Sequence, residues 1–472
     1  MSNNVSAHGM WSSRWVFILA ATGSAVGIGN IWKFPYVAGE NGGGAFVLVY
    51  LACIALIGIP VMMSEIMIGR HGRQSPINTM LAVARDSGRS SLWSLIGWMG
   101  VVAGFLILSY YSVIAGWAMA YIPYSMSGMF TDASPEAIGN IFNNLVGNVW
   151  LLLMWHTIFM GVVIFVIARG VQNGLEKAVK LLMPALFILL FAMVVYAAFA
   201  TGQFAAGLKF LFTPDFGKLF YPDGTNFSGQ GVLTAMGLAF FSLSIGMGAI
   251  MMYGAYLPKG ASVSSTAITI AGADSLVAIL AGMAIFPIVF ANGLSPGQGP
   301  GLVFQTLPIA FGQMPGGAFW GALFFLLLVF AAWTSAFSLL EPVVAWLVEN
   351  RGMKRSVTAF LCGGATWLLG LLTVFSFNIW ADVRPLGFLT DTVFAGQTFF
   401  DFIDYVTQNV MLPIGGLFIV MFAAWFIARG IRDEELDVTN EPLMFNIWLF
   451  LVRYVAPVGI ILVTLNAIGL FA

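Results

Sequence analysis

The sequence predicts an all-α polytopic membrane protein, built as two inverted five-helix repeats with one further helix. Three observations predict it. Of 472 residues, 60% are hydrophobic and only 8% charged, a balance foreign to soluble domains of this size. Apolar runs of about twenty residues, each long enough to cross a bilayer, recur along the whole chain. Two of these runs, five apart, are interrupted at mid-length by glycine and hydroxyl residues. Broken helices in corresponding positions of two repeats mark a binding site at the repeat interface.

About eleven spans follow in order. The first, 14–37, contains A-A-T-G-S-A-V-G-I-G-N-I-W-K-F-P at 20–35. Gly23, Gly27, Gly29, Asn30 and Lys33 all fall inside it. A glycine in a helix interior costs about 1 kcal/mol relative to alanine. Irregular backbone at membrane depth is tolerated only within protein or beside a cavity. A helix broken there frees carbonyls for a cation and a half-helix end for a carboxylate, which points to ion-coupled transport of a small solute. Spans two to five are 43–69, 92–127, 148–168 and 174–198. The fifth opens G-L-E-K-A-V-K-L-L-M-P, and the missing amide of Pro184 kinks or weakens it. The sixth, 230–257, is interrupted by F-F-S-L-S-I-G-M-G at 240–248. Close packing of small residues explains one such stretch alone; two in register favour a site. Spans seven to eleven are 261–290, 316–349, 355–376, 393–428 and 443–471. The repeats are then 14–198 and 230–428, with 443–471 additional, in one domain covering 1–472.

Thirteen basic residues, among them Arg70, Arg89, Arg169, Arg355 and Arg432, fall between spans on one side; only Lys209, Lys218 and Arg384 lie in loops on the other. The positive-inside rule makes the basic side cytoplasmic, with the N-terminus inside and the C-terminus outside. The N-terminus lacks the basic stretch and cleavage site of a signal peptide. A net charge of −1 gives no reason to expect nucleic acid as a partner. Cys53 and Cys362 lie in apolar runs and read as small core residues rather than a disulfide or metal pair; the three histidines are too scattered for a ligand cluster.

Five motifs stand together: G-S-A-V-G-I-G-N-I-W-K-F-P-Y (23–36), E-N-G-G-G-A-F (40–46), Y-Y-S-V-I-A-G-W (110–117), F-F-S-L-S-I-G-M-G (240–248) and A-A-W-T-S (331–335). Through them the chain resembles the neurotransmitter:sodium symporters, in particular their bacterial, LeuT-like amino-acid branch, over essentially its whole length. The resemblance implies a sodium-coupled symporter that imports hydrophobic or aromatic L-amino acids by alternating access, and no enzyme. It implies a bacterial inner-membrane location, a lipid bilayer partner, and a monomer or weak homo-oligomer.

Two sodium sites are implied. The first uses the Ala25 carbonyl, Asn30, Ser242 and Asp274; the second uses the carbonyls of Gly23, Val26 and Ala331 with the hydroxyls of Thr334 and Ser335. Oxygen donors suit a hard cation; taken alone Thr334 and Ser335 would read as hydroxyls bonded to their own helix backbone, and the first-span motif favours the ion site instead. Asp274 lies deep in the seventh span, where a carboxylate costs roughly 2.5–3.5 kcal/mol on insertion scales and marks function by default. Its fixed charge predicts transport without chloride, which many relatives need, and makes it a candidate proton carrier on the empty return. No cationic partner is evident in neighbouring spans.

Gly27 stands where the monoamine carriers have an aspartate, leaving room for the substrate's own carboxylate and implying an α-amino acid. Ser24, Ala25, Gly27, Gly29, Ile107, Tyr111, Phe241, Ser242, Ser244, Met247, Ser335 and Leu339 are the implied substrate contacts. Tyr111 would bond the carboxylate, and the apolar remainder suits an apolar side chain. The G-M-G at 246–248 resembles the branch that takes several hydrophobic amino acids, since methionine repacks readily; plain core filling is the alternative. Outside, Lys33 and Asp404 form an implied ion-pair gate, looser than the family's usual arginine allows. Inside, Trp11, Tyr256 and Glu349 match the inner gate, but His8 replaces the usual arginine. The fifth span is implied to unwind between Gly174 and Pro184. Glu65 reads as structural and Glu341 as near the inner exit. A membrane enzyme lacks a catalytic cluster, and a channel lacks polar stripes. A proton-coupled amino-acid permease of the same architecture is the nearest rival, and a sodium symporter for another small zwitterion is the other alternative.

Overall fold

The structure is a computed structural model that describes residues 9–294, 302–389 and 394–470. His8 and residue 393, the start of the expected tenth span, lie outside these. Among the described residues the regular elements are helices, with no β-strand. The first span is a bent pair: α1 (Arg14–Ala25) and α2 (Gly29–Glu40) meet at 55°. Ser13 starts α1 as an N-cap, its hydroxyl accepting from the Val16 amide at 3.3 Å. Continuous spans follow as α3 (Gly44–Gly72), α4 (Ser91–Met126), α5 (Val149–Ala168) and α6 (Val171–Ala200). The sixth span is again two pieces, α7 (Gln230–Ser242) and α8 (Ala249–Ala255). Then come α9 (Val263–Ala291), α10 (Gly317–Arg351), α11 (Arg355–Ser376), α12 (Phe399–Phe426) and α13 (Pro442–Ala467). Among the described residues, nine continuous helices and one bent pair are long and apolar enough to cross a bilayer. The remaining expected span is α7 with α8, whose halves of 13 and 7 residues are each too short alone.

Burial orders these helices. In α10, 78% of the most apolar window is buried, and in α9, 67%; in α5 and α13 the figure is 33%. The first two are therefore central and the last two face the membrane. α4 packs along α10, and α5 along α11. α1 is wrapped by α6, α9 and α10, while α7 and α8 lie against the two halves of α3. Both breaks are thereby enclosed, as irregular backbone at this depth requires. α6 is wound without interruption from Val171 through Pro184, so the unwinding implied for 174–184 is not what this conformation shows. The segment before α1 holds it: Glu176 accepts from the Ser12 amide at 3.1 Å and from its hydroxyl at 2.5 Å.

Candidate functional site

The two breaks are made by different means. In the first, Val26 turns extended (ψ 99°), while its amide still reaches the Thr22 carbonyl at 2.7 Å. The next amide, Gly27, is met by the Asn30 side-chain oxygen at 3.1 Å. In the second, Ser244 (φ +52°), Gly246 (φ +85°) and Gly248 (φ +74°) are left-handed. Gly246 is doubly required, because a Cβ there would lie 2.4 Å from the Leu412 carbonyl oxygen. Glu65 closes this break from α3. Its carboxylate accepts from the Gly246 amide at 2.6 Å and the Met251 amide at 3.2 Å, serving the start of α8 as a cap in trans. That is the structural role expected of it.

The breaks face one another across a cavity lined by Ala25, Gly27, Ile28, Gly29, Asn30, Ile107, Tyr111, Phe241, Ser242, Ser244, Met247, Ser335 and Leu339. Eleven of the twelve expected substrate contacts line it. The twelfth, Ser24, stands behind: its hydroxyl donates to Ser338 at 2.7 Å, and its carbonyl accepts from Ser244 at 2.7 Å and Ser335 at 3.2 Å. The cavity has two ends. Gly27, Ile28, Asn30, Tyr111 and Ser242 make one polar, where the Tyr111 hydroxyl accepts from the Ile28 amide at 3.3 Å. Ile107, Phe241, Met247 and Leu339 make the other apolar.

Beside the polar end Asn30, Ser242 and Asp274 converge. Ser242 donates to Asp274 at 2.5 Å, and the Asn30 amide donates to Asp274 Oδ1 at 2.7 Å and to Ser242 at 2.9 Å. Tyr50, unforeseen because a tyrosine in an apolar run reads as core, donates to Ser242 at 3.0 Å and to Asp274 Oδ2 at 3.4 Å. Asp274 is fully buried, and none of these partners is a cation. On the far side of α1, the Ser335 hydroxyl lies 3.3 Å from both the Gly23 and the Val26 carbonyl oxygens. Thr334 bonds back to the Phe330 and Ala331 carbonyls at 3.1 and 3.0 Å, as the local alternative had it. Three oxygens of the second expected ion site, those of Gly23, Val26 and Ser335, thus meet between α1 and α10.

A second cavity lies beyond Tyr111 and Phe241, which line both and divide them. Lys33 and Asp404 face it, without the direct ion pair expected. Gln408 stands between them: Lys33 donates to its Oε1 at 3.2 Å, and its Nε2 donates to Asp404. One helical turn from Asp404, this amide fills the space a lysine's single ammonium leaves. Lys33 also lies 5.1 Å over the Phe241 ring. At the opposite end Trp11 and Tyr256 do meet. The Trp11 amide donates to the Tyr256 carbonyl at 3.2 Å, its indole to the Tyr253 carbonyl at 3.3 Å, and both tyrosine rings pack edge-on against it. Tyr256 donates to Glu341 at 2.7 Å, and Glu341, fully buried, pairs with Arg355. Glu341 is therefore part of the closure at this end. Glu349 accepts from the Ser75 amide at 2.7 Å and from Asn78 at 2.8 Å.

The Sodium:neurotransmitter symporter family matches residues 8–144 and 135–381. An uncharacterized sodium-dependent transporter of Bacillus subtilis is 38% identical over 464 residues, 98% of each chain. A sodium- and chloride-dependent taurine transporter of Canis lupus familiaris is 28% identical over 77% of this chain and 65% of its own. Among solved structures, that of MhsT in complex with L-phenylalanine superposes with a TM-score of 0.85 at 41% identity, covering 97% of this chain and 99% of that one. The matching proteins are sodium-dependent transporters rather than enzymes, and with the family match and the broken-helix fold they place this chain: it belongs to the sodium:neurotransmitter symporter family.

Proposed function

We propose that the chain imports hydrophobic or aromatic L-amino acids together with sodium, by alternating access and without chloride. The observation that carries this reading is the two-ended cavity, polar at Gly27 and apolar at Met247 and Leu339. At Gly27 a Cβ would lie 3.0 Å from Ser335 Oγ and 3.2 Å from Tyr111 Oη, so nothing larger than glycine leaves that end open. A substrate carboxylate there faces the Tyr111 hydroxyl and the Asn30–Ser242–Asp274 cluster. The apolar end takes the side chain, consistent with the phenylalanine bound to MhsT.

One sodium is held by the Ala25 carbonyl, Asn30, Ser242 and Asp274. Asn30 now turns its amide nitrogen toward Asp274, so ion binding needs that amide rotated to present oxygen. The other sodium lies among the carbonyls of Gly23, Val26 and Ala331 with the hydroxyls of Thr334 and Ser335 turned to offer lone pairs. Asp274 supplies the negative charge that chloride provides in the taurine carriers, and it takes a proton on the empty return. The repeats are 14–198 and 230–428, and the basic side faces the cytoplasm. Purified protein in liposomes with an imposed sodium gradient, tested with a panel of L-amino acids with and without chloride, decides the matter. Accumulation of phenylalanine or leucine in sodium but not potassium is expected. Equal uptake in potassium, or strong chloride dependence, refutes the reading; uptake indifferent to an outward proton gradient refutes the proton step.

A further inference from the structure

We propose that the groove between the start of α4 and α12 is a site for an anionic phospholipid, with its acyl chain in the groove and its phosphodiester against Arg89. The trough is walled by Leu92, Leu95 and Met99 from one side and by Ile414 and Phe418 from the other, with Ser90 at its polar end. Leu92 and Leu95 are 69% and 60% exposed, so the trough opens away from the bundle toward the membrane. Ile414, Phe418 and Phe422 lie four residues apart and so line one face of α12. Trp93 closes the end of the trough by packing on Phe422 and Phe426, with ring centroids at 4.8 and 4.6 Å.

Arg89 lies at this closed end. Its guanidinium is 5.6 Å over the Phe426 ring, and its Nε donates to the Phe426 carbonyl at 3.1 Å. That bond fixes the guanidinium and leaves its two terminal nitrogens for a phosphate, the fork geometry that suits bidentate recognition. The charge extends beyond one residue. The Ala428 amide donates to the Ser87 hydroxyl at 3.0 Å, joining the loop of Arg89 to the short helix Arg429–Glu435 that carries Arg429 and Arg432. Arg432 and Arg453 both donate to the Ala424 carbonyl, at 2.6 and 3.4 Å, and the Nε atom of each is buried with no partner. A helix C-terminus attracts cations, which explains one arginine there better than three. Of the acids near these arginines, Asp433 meets Arg429 at 3.4 Å, Asp86 meets His71 at 3.2 Å, and Glu435 pairs with Arg70. Arg89, Arg432 and Arg453 thus gather positive charge at the end of an apolar trough, which complements a negatively charged lipid rather than a zwitterionic one.

Native mass spectrometry of the detergent-purified full chain, offered phosphatidylglycerol and phosphatidylcholine with identical acyl chains, tests this. Phosphatidylglycerol should be retained preferentially. Arg89→Gln should reduce that preference about five-fold, the effect of roughly 1 kcal/mol per basic residue near a membrane surface. Leu95→Trp, a surface change that fills the trough, should lower retention of both lipids. Arg169→Gln is the control, since that guanidinium lies 4.0 Å over Phe165 on a different helix, and it should change nothing. Equal retention of the two lipids by the unaltered protein overturns the proposal. So does a preference that survives Arg89→Gln, or displacement of the lipid by inorganic phosphate alone, which would remove the trough from the site.

Discussion

Both oxygens of the Asp274 carboxylate are met by uncharged donors, Asn30 on one and Ser242 with Tyr50 on the other. Removing the charge while keeping the shape should therefore disturb coupling more than folding. Asp274→Asn is expected to lower sodium-driven uptake at least about ten-fold in chloride-free buffer, equivalent to about 1.4 kcal/mol, and to regain activity when chloride is added. Gly27→Asp should abolish amino-acid uptake, because its Cβ alone crowds Ser335 and Tyr111; binding of labelled phenylalanine is the check. Gln408→Ala should leave Lys33 and Asp404 without their bridge and speed substrate release to the side of the second cavity, seen as a several-fold higher off-rate. These residues differ in how far the sequence reveals them. Asn30, Ser242 and Asp274 are conspicuous because a polar group in an apolar run demands a partner. Tyr50 and Gln408 are not, since a tyrosine passes for core and a glutamine near a helix end for surface. Their roles arise only when residues 192 and 375 positions away are brought beside them.

At the scale of elements, α8 is seven residues long and starts from a left-handed glycine, so it has no side-chain cap of its own. Glu65 supplies one from α3. Glu65→Ala leaves two buried amides unmet, at about 1–3 kcal/mol each, and should lower the thermal unfolding temperature as well as uptake. Glu65→Gln, which keeps an acceptor for one amide, should fall between. Span order and length are legible in the sequence because bilayer thickness sets them, and so is each break, because glycine and serine interrupt an apolar run. The state of α6 is not. Gly174 and Pro184 permit unwinding, but whether the helix is wound depends on what Ser12 and Glu176 are doing 164 residues apart.

Over the whole molecule, Trp11 packed on Tyr253 and Tyr256 closes one end of the bundle, and Tyr256 is tied through Glu341 to Arg355 on α11. The end of α8 is thus fastened through Glu341 on α10 to Arg355 at the start of α11, which also donates to the Ile167 carbonyl of α5 at 2.9 Å. Breaking a buried ion pair from one side costs about 3–5 kcal/mol. Arg355→Ala should therefore favour the conformation open at this end. A cysteine introduced at Ser12 should be labelled several-fold faster in that background, and the two native cysteines, both buried, should contribute little signal. Tyr111 and Phe241, the wall shared by the two cavities, set a limit of a different kind. On the function proposed above, a ligand short enough to lie below that wall is expected to be carried. One with the same amino-acid head and a rigid tail that reaches between the two rings is expected to hold them apart and to block uptake competitively, so the reach of the side chain would divide substrate from inhibitor.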